Sequence, residues 1–412
     1  MEDIFIESID IFKLRNFTRF DLLLSKTERK NLIITGKNGS GKTTLLNELS
    51  KYLNHLDHID RNRHSDTPKG LEAYKKYKLD MLNSTNINQD TLLSFDNHIK
   101  HYRKQIEFFG GTIVKFNNDQ INEYFKNGNF LIAFFEAKRE SALNTPRGID
   151  KIELRDVYRM REKARVDFIQ YIVNLKAERS FAKDDNDFES VRKIDEWFNS
   201  FENKLFELFD SHDMRLEFDR TSYNFNIIEN GKEPYNFNQL SDGYSAILSI
   251  VTELIMRMEE HKSYNIETQG VVLIDEIETH LHVDLQKKIL PFLISFFPKV
   301  QFIVTTHSPF VLNSIENSVI FDIEKKILTS DLSGYSYDTL IESFFNSDNY
   351  SELLKERVKE YEKLLENLNL NESEKEKLFF LNQYLNEIPK FVADELAVKL
   401  QQIKLNELNR KK

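Results

Sequence analysis

The stretch Leu32-Ile33-Ile34-Thr35-Gly36-Lys37-Asn38-Gly39-Ser40-Gly41-Lys42-Thr43 decides how this chain is read. It opens as a short apolar run of the kind buried in a parallel sheet. From Gly36 to Thr43 it fills the pattern G-x-x-x-x-G-K-[ST] completely. Leu45, Leu46, Leu49 and Leu53 then fall on one face of a helix. Strand, glycine-rich turn and helix in that order make a phosphate cradle. The glycines let backbone N–H groups turn inward, and the helix N-terminus adds partial positive charge. Lys42 is placed to bridge the β- and γ-phosphates of a nucleotide, and Thr43 to ligate Mg²⁺. Asn38, Ser40 and Thr44 complete the phosphate-facing set.

Three further segments extend the pattern. Val271-Val272-Leu273-Ile274 is a second apolar strand, and it ends in Asp275-Glu276. Beside a phosphate loop, such a pair supplies one carboxylate for Mg²⁺, Asp275, and one general base for water, Glu276. Gln239-Leu240-Ser241-Asp242-Gly243-Tyr244-Ser245 lies about 30 residues earlier. Thr305-Thr306-His307-Ser308-Pro309 follows a last apolar run.

The order of these four segments resembles that of the ABC-type ATPase superfamily. Residues 239–245 are similar to its signature, usually L-S-G-G-Q, and residues 305–309 to its switch-histidine loop. The resemblance implies ATP and Mg²⁺ as ligands and ATP hydrolysis as the activity. It implies that Glu276 and His307 are catalytic and that Ser241 and Gly243 close on the γ-phosphate held by a second copy. A head-to-tail homodimer or higher oligomer is then expected. Two departures stand out. Asp242 occupies the first glycine position of the signature, which points to slow turnover. In place of the glutamine that usually follows the next strand, Phe130–Phe135, the chain reads Glu136-Ala137-Lys138-Arg139. Arg139 reads equally as a residue at the nucleotide edge and as a solvated charge. Glu278, His280 and His282 have a spacing that could hold a metal. The stronger reading is a loop after the acidic strand, similar to the E-x-x-L-H of SMC-like and overcoming-lysogenization-defect ATPases.

The opening Ile9–Phe17 resembles the first strands of RecF/SMC/OLD-type ATPases. About 200 residues separate Lys42 from Ser241, more than a transporter ATPase has and fewer than a coiled-coil repair ATPase. Beyond residue 330 no nuclease constellation is visible, and no His follows His307. An ATPase without its own effector resembles the ATPases of the bacterial anti-phage systems Septu, retron and PARIS. The resemblance implies a partner effector, a nuclease or toxin, that the ATPase senses for or restrains. The main alternative is a RecF/SMC-like repair ATPase that binds DNA. An ATP-locked scaffold ranks below it and a transporter ATPase last.

The expected fold class is α/β: an ABC-type P-loop head of mixed or parallel sheet flanked by helices. Residues 1–150 would form its N-terminal part with an inserted polar segment, 151–213 a helical insertion, 214–335 the rest of the head, and 336–412 a helical lobe for partner or oligomer. Residues 54–105, polar and rich in Asn and Lys, resist assignment. The chain has 412 residues, no Cys and a net charge of −10. The lack of Cys excludes disulfide scaffolds and thiolate metal sites. No apolar run is long enough for a membrane helix, and a cytoplasmic protein without membrane partners is expected. Nucleic acid stays open through one basic stretch: Lys138, Arg139, Arg147, Lys151, Arg155, Arg159, Arg161, Lys163 and Arg165. Glu/Lys interleaving on an exposed surface produces the same pattern without a ligand, and that reading is preferred.

Overall fold

The fold is that of a computed structural model. It describes residues 3–387 apart from 15–18, 59, 85–87, 140, 141, 153, 156, 212, 260–267, 338, 341–351 and 368–370. Of the opening motif, Arg15 to Phe17 therefore lie outside the described residues, as does the expected helical lobe beyond residue 387. The chain forms two compact units, Met1–Leu340 and Ile341–Lys412.

The first unit is built on a six-stranded sheet. Five strands are parallel: β3 (Asn31–Thr35), β5 (Phe130–Phe135), β9 (Gln269–Ile274), β10 (Val300–Thr305) and β11 (Ser318–Asp322). The sixth, β12 (Ile327–Ser330), is antiparallel at one edge. The order is β12-β11-β3-β10-β9-β5. Nearly every residue of β3, β9, β10 and β11 is buried, which explains their unbroken apolar sequence. The register sets Val304 opposite Ile33 on one side and Ile274 on the other. The chain therefore leaves β3, β9 and β10 at one level, where ligands bind in sheets of this type.

A second sheet, order β2-β1-β4, comprises β1 (Ile6–Ile11), β2 (Phe20–Leu23) and β4 (Thr112–Phe116), all antiparallel. Two buried glutamines tie it to the first. Gln269 accepts from the Ile4 N–H at 2.6 Å and Gln301 from the Ile6 N–H at 2.7 Å. The apolar core lies between the sheets and α1 (Lys42–Leu53), whose Leu45, Leu46, Leu49 and Leu53 are fully buried.

The polar stretch that sequence left open is helical: α2 (Arg61–His64), α3 (Thr67–Leu82) and α4 (Gln89–Phe109). Its apolar seam is thin, Leu71, Ile99 and Ile106 with the half-buried rings of Phe12, Tyr74 and Tyr102 packed on them, so periodicity alone did not expose it. His64 anchors this region. It is fully buried, its Nε2 donates to the Gly110 carbonyl at 3.1 Å, and Phe109 packs on its ring. Burial pushes its pKa down to about 4, against the opposing pull of its backbone hydrogen bonds. The unfolded chain takes up this proton near pH 6.5 while the folded chain refuses it until about pH 4. Stability from this group is therefore complete above pH 6.5 and falls as pH drops, by about 3 kcal/mol in all. Urea unfolding at pH 7.5 and 4.5 is expected to show that extra loss in the natural chain and not in His64→Phe. Equal losses in the two would contradict it.

α5 (Ile121–Lys126) leads into β5. The expected helical insertion contains α6 (Phe168–Asp184) and α7 (Phe188–Phe209), joined by the turn at Asp185-Asn186-Asp187. Trp197 stacks on Phe201 and meets Tyr171 edge-on across the pair. The segment before Phe168 is not the helix its composition suggested. It runs irregularly, and its end is held by Glu253 of α8 (Asp242–Met258), which accepts from the Ala164 and Arg165 N–H groups at 3.0 Å. A third sheet, β6 (Arg215–Asp219), β7 (Asn224–Ile228) and β8 (Tyr235–Asn236), precedes α8. α9 (Val283–Phe296) and α10 (Pro309–Leu312) follow β9 and β10.

In the second unit, helices Glu352–Glu366 and Glu372–Glu387 pack on each other. The Arg357 guanidinium lies 4.0 Å from the centre of the Tyr384 ring.

Candidate functional site

The loop after β3 turns on glycines in the left-handed region. Gly36 has φ +140° and Gly41, which caps α1, has φ +107°. A Cβ on Gly36 would come within 2.9 Å of Ile323, so only glycine fits there. Lys42 opens α1 and is 5% exposed. Its ammonium donates to the carbonyls of Gly36 at 2.8 Å and Lys37 at 3.2 Å. It also meets His307 Nε2 at 2.6 Å. An ammonium only donates, so Nε2 is the acceptor and the imidazole proton sits on Nδ1. Burial lowers the pKa of both groups, and for His307 the Lys42 charge adds to the effect.

Asp275, 4% exposed, stands one residue past β9. Its Oδ1 accepts from Thr305 Oγ1 at 2.6 Å and from Thr43 Oγ1 at 3.2 Å. Thr43 and Asp275 thus present hard oxygens side by side, the donor set that suits Mg²⁺. Ser40 Oγ is buried without a partner, a donor that fits a phosphate oxygen. Glu276 follows with φ +43°, a conformation a non-glycine residue adopts only where its surroundings hold it. Its N–H donates to Thr305 Oγ1 at 2.8 Å, and the Ile277 N–H to the Thr305 carbonyl at 3.1 Å.

The turn continues to Glu278. One of its carboxylate oxygens accepts from Thr306 Oγ1 at 2.7 Å and the other from the His307 N–H at 2.5 Å. Glu278 therefore fixes the histidine loop and does not converge with His280 and His282. His282 is exposed and lies 3.6 Å from Asp284. No cluster of three or more metal-ligating side chains occurs among the described residues.

Ser241 caps α8, and Ser241 and Asp242 are both exposed. Among the described residues neither is hydrogen-bonded to the Lys42–Asp275 cluster. Gly243 is buried, and a Cβ there would press on the His280 carbonyl at 3.2 Å. Glycine thus lets α8 start directly against the loop after β9. The structure gathers Gly36 to Thr43, Asp275, Glu276 and His307 into one site and leaves Ser241 facing outward.

Most of the basic stretch is committed within the chain. Arg159 pairs with Asp57 at 2.9 Å, Arg161 with Glu136 at 2.9 Å and Arg155 with Glu162 at 3.1 Å. Arg165 is buried and donates to the Ala142 carbonyl. Sequence reasoning named Thr305, Thr306, Glu278 and Arg139 within its motifs but did not foresee their contacts: Thr305 on Asp275, Glu278 on Thr306 and the His307 N–H, and Arg139 on the carbonyls of the acidic turn. The two threonines carried a signal, because hydroxyls at the end of a fully apolar strand need partners.

The sheet order brings the loops after β3, β9 and β10 to one end of the sheet, where Lys42 meets His307 and Thr43 meets Asp275. The chain belongs to the family described as "AAA domain, putative AbiEii toxin, Type IV TA system", which matches residues 47–313 and begins just beyond Thr43. It is 35% identical to the "Septu protein PtuA" of Bacillus mycoides over 160 residues, 37% of this chain and 22% of that protein. The chain thus aligns with about a fifth of that relative's length. It is 24% identical to the "Retron Vc95 probable ATPase" of Vibrio cholerae over 87% of this chain and 83% of that protein. Among solved structures, an SMC head bound to the C-terminal winged-helix domain of ScpA is 14% identical at a TM-score of 0.39. That alignment covers 79% of this chain and 97% of the other. Among the described residues no helix is long and apolar enough to cross a membrane.

Proposed function

We propose that the chain binds ATP with Mg²⁺ and hydrolyses it slowly. The observation that carries this reading is the joint placement of Thr43 and Thr305 on the Asp275 carboxylate, with Lys42 and His307 alongside. Lys42 and the N–H groups of residues 38 to 44 bind the β- and γ-phosphates. Thr43 and Asp275 hold Mg²⁺, which when bound neutralises charge building on the phosphate oxygens. Glu276 takes the proton of the attacking water. His307 contacts the γ-phosphate through Nε2, the nitrogen that now faces Lys42, once the Lys42 ammonium turns to the phosphate and Nε2 carries the proton.

The exposed Ser241, at the helix start that the buried Gly243 allows, closes on the nucleotide of a second copy, so a head-to-tail dimer completes two sites. Asp242 sets a carboxylate at that interface. It favours the start of α8 and opposes a γ-phosphate, so Asp242→Gly is expected to raise the turnover number several-fold. Unchanged or lower turnover, with the fold intact by circular dichroism, would contradict this.

The relatives of Septu and retron type support a role as sensor or regulator of a partner effector, a nuclease or toxin, in anti-phage defence. Arg155, Arg159 and Arg161 pair within the chain, which counts against the DNA-repair alternative, while Lys138, Arg147 and Lys151 of the same stretch are exposed. The test is phage challenge of cells that carry the chain with its neighbouring gene. Protection is expected with the natural chain and not with Lys42→Ala or without the neighbour. Protection that persists with Lys42→Ala would overturn the ATP-dependent reading.

A further inference from the structure

The carbonyls of Asp275, Glu276 and Ile277 all point at one guanidinium. Arg139 Nη2 donates to the Asp275 carbonyl at 3.0 Å and to the Glu276 carbonyl at 2.9 Å, and Nη1 reaches the Ile277 carbonyl at 3.4 Å. The N–H groups of the same three residues are already used, by the Phe135 carbonyl at 2.8 Å, Thr305 Oγ1 and the Thr305 carbonyl. Every backbone polar group of the turn that carries Glu276 is therefore accounted for: Arg139 reaches all three carbonyls and shares that of Glu276 with the Thr279 N–H at 3.0 Å. The turn includes the left-handed Glu276, φ +43°, a geometry that needs external support. Arg139 makes no ion pair within 4 Å among the described residues. Burial brings its pKa to about 10, and the acidic groups Glu278, Asp275 and Glu276 hold it up, so it stays charged at neutral pH.

We propose that Arg139 is a positioning residue for hydrolysis: its planar fork holds the turn after β9 in the shape that aims the Glu276 carboxylate. This deepens the ATPase reading above and rests on it. Arg139 also ends the short segment between β5 and the irregular run into α6, beside a cavity of about 420 Å³ lined by Lys138, Arg161 and Lys163. A shift of that segment reaches Glu276 through one side chain. A lysine offers a point charge in place of the fork and serves such a site only in part.

The experiment uses the full chain. ATP affinity and steady-state turnover are measured for the natural protein, Arg139→Lys, Arg139→Met, Glu276→Gln and the double variant Arg139→Met/Glu276→Gln. The expected loss in kcat for Arg139→Met is about 100-fold, the size of effect a misplaced catalytic group produces, with ATP affinity within threefold. Arg139→Lys is expected to recover part of it. The double variant is expected to be no slower than Glu276→Gln alone, because Arg139 acts only through Glu276. Natural kcat in Arg139→Met, lost ATP affinity, or losses that multiply in the double variant would each overturn the proposal. Should Arg139→Met fail to fold, Arg139→Lys and its pairing with Glu276→Gln decide by the same criteria. Absence of hydrolysis by the natural chain is a different result: it removes the ATPase reading itself, and this inference with it.

Discussion

Lys42→Ala is expected to weaken ATP binding by about 100-fold or more while leaving the fold intact. The ammonium is the buried cation of the loop after β3, whose other lysine, Lys37, is exposed and pairs with Glu324, and a charge-assisted hydrogen bond is worth roughly 1.5–3 kcal/mol. Its present partners are the carbonyls of Gly36 and Lys37 and the ring of His307. No carboxylate lies within 4 Å of it among the described residues, so its removal breaks no ion pair and costs only the longer-range attraction to Glu276, Glu278 and Asp275. The cost to the fold is that of carbonyls losing a donor, offset by relief of a desolvated ammonium. Calorimetric titration with ATP and thermal melting test the two halves separately. Unaltered affinity would remove Lys42 from the phosphate site, and a collapsed fold would make it a structural lysine.

Glu276→Gln is expected to lower turnover by 10²- to 10⁴-fold, the usual worth of a positioned general base. The amide matches the carboxylate in shape and keeps the contact with Thr279 Oγ1, 3.4 Å from Oε2. It cannot take a proton from water. Lys42, Thr43 and Asp275 are untouched, so ATP affinity is expected to hold and the ATP-bound form to accumulate. Phosphate release and nucleotide binding, measured side by side, separate the two. Turnover within threefold of the natural chain would assign the proton to another group.

Much of this site was legible because its chemistry is local in sequence. Gly36 to Thr43 carry their own strand, turn and helix, and Asp275-Glu276 mark the end of an apolar run. What joins them is the order β3-β10-β9, set by pairing between strands far apart in the chain, and no local pattern encodes it. Thr305 illustrates the difference. Sequence reasoning placed it only at the head of the histidine segment, yet parallel pairing sets it level with Asp275, where its hydroxyl bridges the carboxylate and the Glu276 N–H. Arg139 was read as a nucleotide-edge residue or a solvated charge. It is not solvated: β5 pairs with β9 and delivers the residues after Phe135 beneath the acidic turn, whose carbonyls hold the guanidinium. Helices α2 to α4 stayed hidden for a different reason, since they bury too few apolar residues to set a period.

The central claim is that ATP joins two copies through the loop at Lys42 of one and the helix start at Ser241 of the other. The direct measurement is the native mass of the Glu276→Gln chain with and without ATP and Mg²⁺, alone and with Ser241→Arg added. The account predicts a monomer without nucleotide, a dimer or a multiple of it with ATP, and loss of that species in the Ser241→Arg form, which still binds ATP. An assembly that forms without nucleotide, or that survives Ser241→Arg unchanged, would contradict it.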